Sequence, residues 1–176
     1  MNLNTPFHCA LLKEVVYFQE GPGLRKWQYG NSGVPFMNIR TITDNGTIDK
    51  SICQFIKQEE FEGQYEHFLL DEGDYVVSSS GTLGKLAEIR KQDLPLMLNT
   101  SVIRFRPIDE KILDRGFLKW FIKSPLYLRQ IQKASTGTAI KNYGPSHLKK
   151  MFIPLPPIEE QKRIAEILDR ADAIRQ

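Results

Sequence analysis

The sequence predicts an α+β fold: a twisted, mostly antiparallel sheet with hairpins, packed helices and a protruding C-terminal helix. Three observations carry this. Up to about residue 107, short β-prone runs alternate with turn signals rich in Gly, Asn and Asp. From about 110 to 134 the apolar residues recur at helical spacing. From Pro156 a double proline opens a last helix that runs to Gln176.

The β region begins with VPFMNIRTI (34–42), which the turn signal Asp44-Asn45-Gly46 separates from TIDKSICQFI (47–56). YVVSS (75–79) and KLAEIR (85–90) flank Ser80-Gly81-Thr82-Leu83-Gly84, a hairpin whose two glycines supply positive φ. MLNTSVIRFRP (97–107) is the last long strand signal. In EKILDRGFLKWFIKS, Ile112, Leu113, Phe117, Trp120 and Phe121 share a helix face. Ser124-Pro125 then reads as an N-cap with proline at the first helical position, opening PLYLRQIQKAS. A polar loop, STGTAIKNYGPS (135–146), leads to the helical turn SHLKK and an extended MFIPLP. No repeat or linker marks a second core, so the expected division is one domain over 1–155 and a helical tail over 156–176.

In that tail, Glu159 and Glu160 lie where the positive end of the helix dipole favours acids. Ile164, Ile167, Ala171 and Ile174 are spaced 3-4-3, the pattern of a coiled-coil seam. Such a seam packs on its own domain or on a partner helix. Two heptads are too few to make a coiled coil from pattern alone, which favours the intramolecular arrangement.

Composition excludes several classes. The two cysteines, Cys9 and Cys53, suit a reducing cytoplasm, with a buried structural role for both, rather than a disulfide scaffold. Neither has a second cysteine at metal-ligand spacing and the three histidines are scattered, so no zinc site is expected. No apolar run has the length of a membrane span, and the N-terminus lacks a signal-peptide layout. The net charge of +3 is unevenly spread. Residues 44–74 hold nine acids against two lysines, whereas no acid falls from Arg115 to Ile158 or within 21–43. A basic face of this kind meets a polyanion or is simply solvated; charge alone does not separate the two.

Three segments carry candidate contacts to nucleic acid. GPGLRKWQYGNS (21–32) interleaves Arg25, Lys26, Gln28 and Tyr29 with Trp27. Arg bonds guanine bidentately and Gln adenine in the major groove. The alternative is a plain surface loop with Trp27 in the core. Arg40 lies nearby on the 34–42 strand, facing an undetermined side. The hairpin SSSGTLGK offers Thr82 and Lys85 to phosphates. It is not a P-loop, because Ser79 stands where the first glycine belongs and Leu86 follows the lysine. KASTGTAIKNYG (133–144) supplies Lys133, Ser135, Thr136, Thr138, Lys141, Asn142 and Tyr143, with small side chains that let a phosphate backbone approach. This is the strongest single candidate segment; its alternative is a mobile basic loop. Catalytic constellations are missing. The one double proline, in LPPIEE, lacks the preceding Asn or Asp and following aromatic of an adenine methyltransferase, and the acids of 44–74 form neither a nuclease set nor an EF-hand.

IPLPPIEEQKRIAEILDRAD resembles the segment that ends the target recognition domain in DNA-specificity subunits of type I restriction–modification systems, where it enters a long helix. GVPFMNIRTITDNGTID (33–49), GDYVVSSSGTLGKLAEI (73–89), NTSVIRFRP (99–107) and GTAIKNYGPSHLKKMFIPLPP (137–157) agree in order, so the resemblance runs from about Gly21 to the end. It implies that 1–155 is a DNA target recognition domain and 156–176 the start of a spacer or dimerisation helix. It implies a non-catalytic chain that reads one half of a bipartite site on double-stranded DNA. Two methyltransferase subunits and restriction/translocase subunits would be its partners, with S-adenosylmethionine, ATP and Mg on those partners. It also moves the helix seam toward self-association or pairing with a second recognition domain. Two alternatives remain: the recognition domain of a fused restriction–methyltransferase, against which Met1 at the start speaks weakly, or a half-length subunit acting mainly through helix pairing.

Overall fold

β1 (Cys9–Leu11), α1 (Leu12–Val15) and β2 (Val16–Glu20) open the computed structural model, which describes residues 6–133 and 142–174. They are followed by β3 (Tyr29–Gly30), β4 (Val34–Phe36), β5 (Gln54–Ile56), α2 (Gln58–Phe61), β6 (Tyr75–Ser78), β7 (Leu86–Glu88) and β8 (Val102–Pro107). α3 (Arg115–Lys123), α4 (Pro125–Lys133), α5 (Pro145–Leu148), β9 (Phe152–Pro154) and α6 (Ile158–Ala173) complete the order. The paired strands whose register is described run antiparallel, so the chain is α+β as expected.

By its internal contacts the chain divides into two compact units. One takes the described residues of Met1–Tyr17, Arg106–Ile140 and Ser146–Gln176; the other takes Phe18–Phe105 and the described residues of Lys141–Pro145. The division therefore differs from 1–155 and 156–176: the C-terminal helix is part of a unit, and the chain's first strand joins the same unit.

In the first unit β1 pairs with β9, Ala10 opposite Ile153, and the Leu12 N–H donates to Met151 O at 2.8 Å. These strands carry no turn signal between them, so their pairing was invisible in local pattern. Ser124 Oγ accepts from the Tyr127 N–H at 3.2 Å, the cap read from Ser124-Pro125. The helix expected from about 110 starts at Arg115. Asp114 caps it, accepting from the Phe117 N–H at 2.8 Å, while Ile112 stays outside the helix and exposed. The Asp114 side-chain oxygen satisfies an N–H that the helix cannot, and that fixes the boundary.

α6 packs on α3 through Gln161, Ala165, Asp169 and Asp172, spaced 4-4-3. The buried Gln161 carboxamide accepts from the Asp114 N–H (2.9 Å) and donates to Ile112 O (3.0 Å) and Pro156 O (2.9 Å). Gly116 faces Ala165 so closely that an added Cβ would lie 2.9 Å from the alanine's. Lys119 and the Trp120 indole N–H both bond Asp169, and Lys123 pairs with Asp172. Burial pushes the Asp169 carboxyl up, but the bonds from Lys119 and Trp120 and the two lysine charges outweigh it and hold the group below its ordinary value. The helix thus docks through a largely polar stripe. Its apolar seam lies on another face, with Ile167 53% and Ile174 86% exposed, Ala171 exposed and Ile164 half-buried.

The second unit holds most of a four-stranded sheet, order β2-β8-β6-β7, and a three-stranded sheet, order β3-β5-β4. Met37, Ile42, Val76, Ala87, Leu96, Leu98 and Val102 form one apolar cluster, and Phe36, Ile56, Phe61 and Met97 another. Two expected strands are shortened by caps. Asn38 Oδ1 accepts from the Arg40 N–H at 2.9 Å and turns Ile39–Thr41 into a 3-10 helix, so Arg40 is not on a strand. Asp49 does the same for Lys50–Ile52, leaving a strand only at Gln54–Ile56. Both cysteines are free and half-buried rather than buried; burial pushes the Cys53 thiol up, which suits an unreactive packing role. Among the described residues no helix is long and apolar enough to cross a membrane, and no three His, Cys, Asp or Glu side chains gather as metal ligands.

Candidate nucleic-acid interface

Two segments of the second unit run side by side where β4 ends. The Met37 N–H donates to Met97 O and the Met97 N–H to Pro35 O, both at 2.9 Å. Each segment then turns away from the apolar core into polar residues, MNIR on one side and LNTS on the other. Between them opens a groove of about 550 Å3, lined by Asn38, Arg40, Gln54, Asn99, Thr100 and Ser101 with Ile39 and Ile52 as its apolar wall. None of these residues is acidic. The walls present carboxamides, hydroxyls and one guanidinium, groups that bond base edges and phosphates and do not by themselves perform hydrolysis or group transfer.

Asn99 is 7% exposed, and its buried Oδ1 meets no hydrogen-bond partner among the described residues. Ser101 next to it has φ 72°, a left-handed conformation that costs a non-glycine residue about 1–3 kcal/mol. An unsatisfied buried acceptor beside a strained residue is a combination that stability alone does not favour. The turn is held from outside: the Thr100 N–H donates to Pro22 O (3.0 Å) and the Gly21 N–H to Val102 O (3.2 Å). Gly21 passes so near the Asn99 backbone that any side chain there would collide with it at 2.4 Å. Burial pushes the nearby Glu20 carboxyl up, against a hydrogen bond from the Ser101 backbone.

The hairpin forms as expected. β6 and β7 pair, Gly81 and Gly84 have φ 63° and 82°, and Ser78 Oγ bonds Thr82 O (2.5 Å) and the Lys85 N–H (2.9 Å) across the turn. A Cβ on Gly81 would touch Ile39 Cδ1 at 3.7 Å, so the hairpin tip adjoins the groove wall. Ser80 in turn bridges to Asn142. The structure therefore brings the start of the 21–32 loop and the hairpin up to this groove, with Asn142 beside the hairpin, and of the described sequence candidates Arg40 lines it.

Individual sequence candidates separate into available and committed side chains. Arg25, Lys26, Arg40, Thr82, Lys133 and Asn142 are exposed. Gln28 is corrected: it is 4% exposed, accepts from the Arg25 N–H (2.9 Å) and donates to Tyr65 Oη (3.1 Å) and Glu60 (3.4 Å), so it holds the loop instead of reading a base. Tyr143 is corrected likewise, buried with its N–H on Ser79 O (2.9 Å) and its hydroxyl 3.4 Å from Ser78 O. Tyr29 is half-buried, its ring edge-on to Phe36. Lys85 pairs with Asp44 at 2.6 Å; that hydrogen bond and charge hold the Asp44 carboxyl below its ordinary value. Ser135, Thr136, Thr138 and Lys141 lie outside the described residues. Sequence reasoning missed Asn38, Gln54, Asn99, Thr100 and Ser101. For all of these but Gln54 the one local signal is polar residues directly after apolar runs, in FMN and LMLNTS.

The family described as "Type I restriction modification DNA specificity domain" matches residues 10–176. The chain is 30% identical over 136 residues to the EcoKI specificity subunit of Escherichia coli (strain K12), covering 77% of this chain and 29% of that one. It is 30% identical over 165 residues to the MjaVIII specificity subunit of Methanocaldococcus jannaschii, covering 92% and 38%. The chain thus spans about a third of the length of these relatives. The crystal structure of the HsdS subunit from Thermoanaerobacter tengcongensis has the same fold, with a TM-score of 0.70 at 23% identity over 98% of this chain and 39% of that one. With the family match covering nearly the whole sequence, this chain belongs to the type I restriction–modification DNA specificity domain family.

Proposed function

We propose that the chain is a sequence-specific DNA recognition module without catalysis of its own, acting in the cytoplasm. It reads one half of a bipartite site on double-stranded DNA and positions methyltransferase and restriction/translocase subunits, which carry S-adenosylmethionine, ATP and Mg. The observation that carries this is the acid-free groove, bordered by three of the segments rich in base- and phosphate-bonding side chains, in a member of a DNA specificity family. Arg40 at the groove bonds guanine or a phosphate, and the exposed Gln54 offers a carboxamide suited to adenine. Arg25, Lys26, Thr82, Lys133 and Asn142, with Ser135, Thr136, Thr138 and Lys141, supply backbone contacts.

The test starts from the methylated motif in the source genome. The chain is expected to bind a duplex bearing the matching half-site more tightly than a scrambled one. Arg40→Ala should weaken binding to the half-site by about tenfold to a hundredfold and, if its contact is to phosphate, lower the log–log salt slope by about one unit. Equal affinity for both duplexes at every salt concentration would refute the reading.

The Ile164–Ile167–Ala171–Ile174 seam, exposed apart from the half-buried Ile164, supports a second element of the proposal: α6 pairs with a like helix from another copy or another recognition domain. Sedimentation over a concentration series should show reversible self-association that Ile167→Glu abolishes. A monomer at all concentrations would remove self-pairing for this chain.

A further inference from the structure

The chain has two tryptophans, and they are treated differently. Trp120 donates its indole N–H to Asp169 and carries Lys119 and Lys123 against its ring. Trp27 is 64% exposed and its indole N–H has no hydrogen-bond partner among the described residues. Leaving so large an apolar ring in water forfeits burial that a folded chain ordinarily takes.

The exposure is not that of a loose loop. Trp27 sits in a 3-10 turn, Lys26–Gln28, that the buried Gln28 pins from within. Besides the Gln28 side-chain bonds to Arg25, Tyr65 and Glu60, the Gln28 N–H donates to Arg25 O (2.9 Å) and its carbonyl accepts from the Lys57 N–H (3.0 Å). Downstream, Tyr29 rests on Phe36; upstream, Pro22 O is bonded by Thr100. A buried polar side chain is thus spent on presenting Arg25, Lys26 and Trp27 outward as a fixed apex. Neither Arg25 nor Lys26 makes an ion pair among the described residues, and no acid occurs from 21 to 43.

We infer that Trp27 is a stacking wedge: its indole face inserts against a nucleobase of duplex DNA and partly unstacks that step while Arg25 and Lys26 hold the adjoining phosphates. This rests on the DNA-recognition reading and adds a distortion of the duplex to it. Two exposed cations without an ion pair among the described residues, one and two positions before the ring in sequence, favour nucleic acid over a protein surface, where lysine is depleted and aromatic anchors sit among apolar neighbours. A pinned apex suits the task, because an apolar wedge must keep its shape while it separates two stacked bases. A partner enzyme that extrudes a base would then act on a duplex already loosened.

The experiment compares the chain with Trp27→Ala and Trp27→Phe on two probes: a paired duplex bearing the matching half-site, and the same duplex with one mismatched pair next to that half-site, in which unstacking is cheaper. The unaltered chain should bind the mismatched duplex about tenfold more tightly than the paired one, with loss of tryptophan emission on binding. Trp27→Ala should abolish both the preference and the emission change, whereas Trp27→Phe should keep most of the preference. Trp27→Ala that retains the preference overturns the wedge, as does Trp27 emission unchanged on saturation with DNA. If Trp27→Ala binds both duplexes normally but no longer binds a methyltransferase subunit, the apex faces protein and the wedge is likewise overturned. Failure of the unaltered chain to bind either duplex would instead refute the DNA-recognition reading beneath it.

Discussion

Arg104→Ala is expected to destabilise the protein by about 3–5 kcal/mol, the loss seen when one partner is removed from a buried charge pair. Arg104 lies on β8, an interior strand of its sheet, and is nearly inaccessible, as is Asp74 beside it at 3.5 Å. Its guanidinium also donates to Leu69 O (2.7 Å), His67 O (3.0 Å) and Gln19 Oε1 (2.5 Å). Alanine would leave the buried Asp74 carboxylate and the part-buried Leu69 and His67 carbonyls and Gln19 carboxamide without this donor, and a cavity besides. Arg104→Met fills much of the volume but restores no donor, so it should recover only the cavity part of the loss. The measurement is urea unfolding: the midpoint should fall with little change in slope. A loss below about 1 kcal/mol for Arg104→Ala would show that the guanidinium is dispensable to the fold.

The second large effect is expected at Gly33. Its φ of 127° lies where only glycine is comfortable, and an added Cβ would stand 2.1 Å from Ile56 O. Gly33→Ala must therefore either strain the backbone or break the register of β4 on β5, where Val34 faces Ile56. A cost of at least about 2–3 kcal/mol follows. The change should also weaken DNA binding, because β5 carries Gln54 at the groove and leads to Lys57, which bonds the turn presenting Trp27. Gly23→Ala is the control. Nothing lies within 4 Å of its added Cβ and its φ is not positive, so its effect should stay within about 0.5 kcal/mol. Thermal unfolding that ranks the two variants equal would contradict the assigned role of Gly33.

Local chemistry made parts of this protein legible from sequence. The Ser80–Gly84 hairpin, the Ser124 cap and the proline-led helix from Ile158 each depend on residues within a few positions of one another. Such features survive in a linear reading because turn and cap residues act through their own backbone. The caps at Asn38 and Asp49 were equally local, yet the β-prone residues around them hid them, and Arg40 was placed on a strand in consequence.

The family was written in the order of motifs from about Gly21 to the end, and the family match extends over 10–176. Which residues face outward was not written there. Arg104 and Arg106 alternate along one strand signal, but only the pairing of β8 with β6 buries the first against Asp74. Gln28 and Trp27 are adjacent, and the contacts of Gln28 with Tyr65 and Glu60, more than 30 positions away, decide which is inside. The groove exists because Met37 and Met97 pair across sixty residues of chain. Sequence thus determined the family, most element types and the Ser124 cap, through short-range backbone preferences and motif order. Tertiary structure decided burial, and with it which polar groups remain exposed, because burial is set by contacts between residues far apart in the chain.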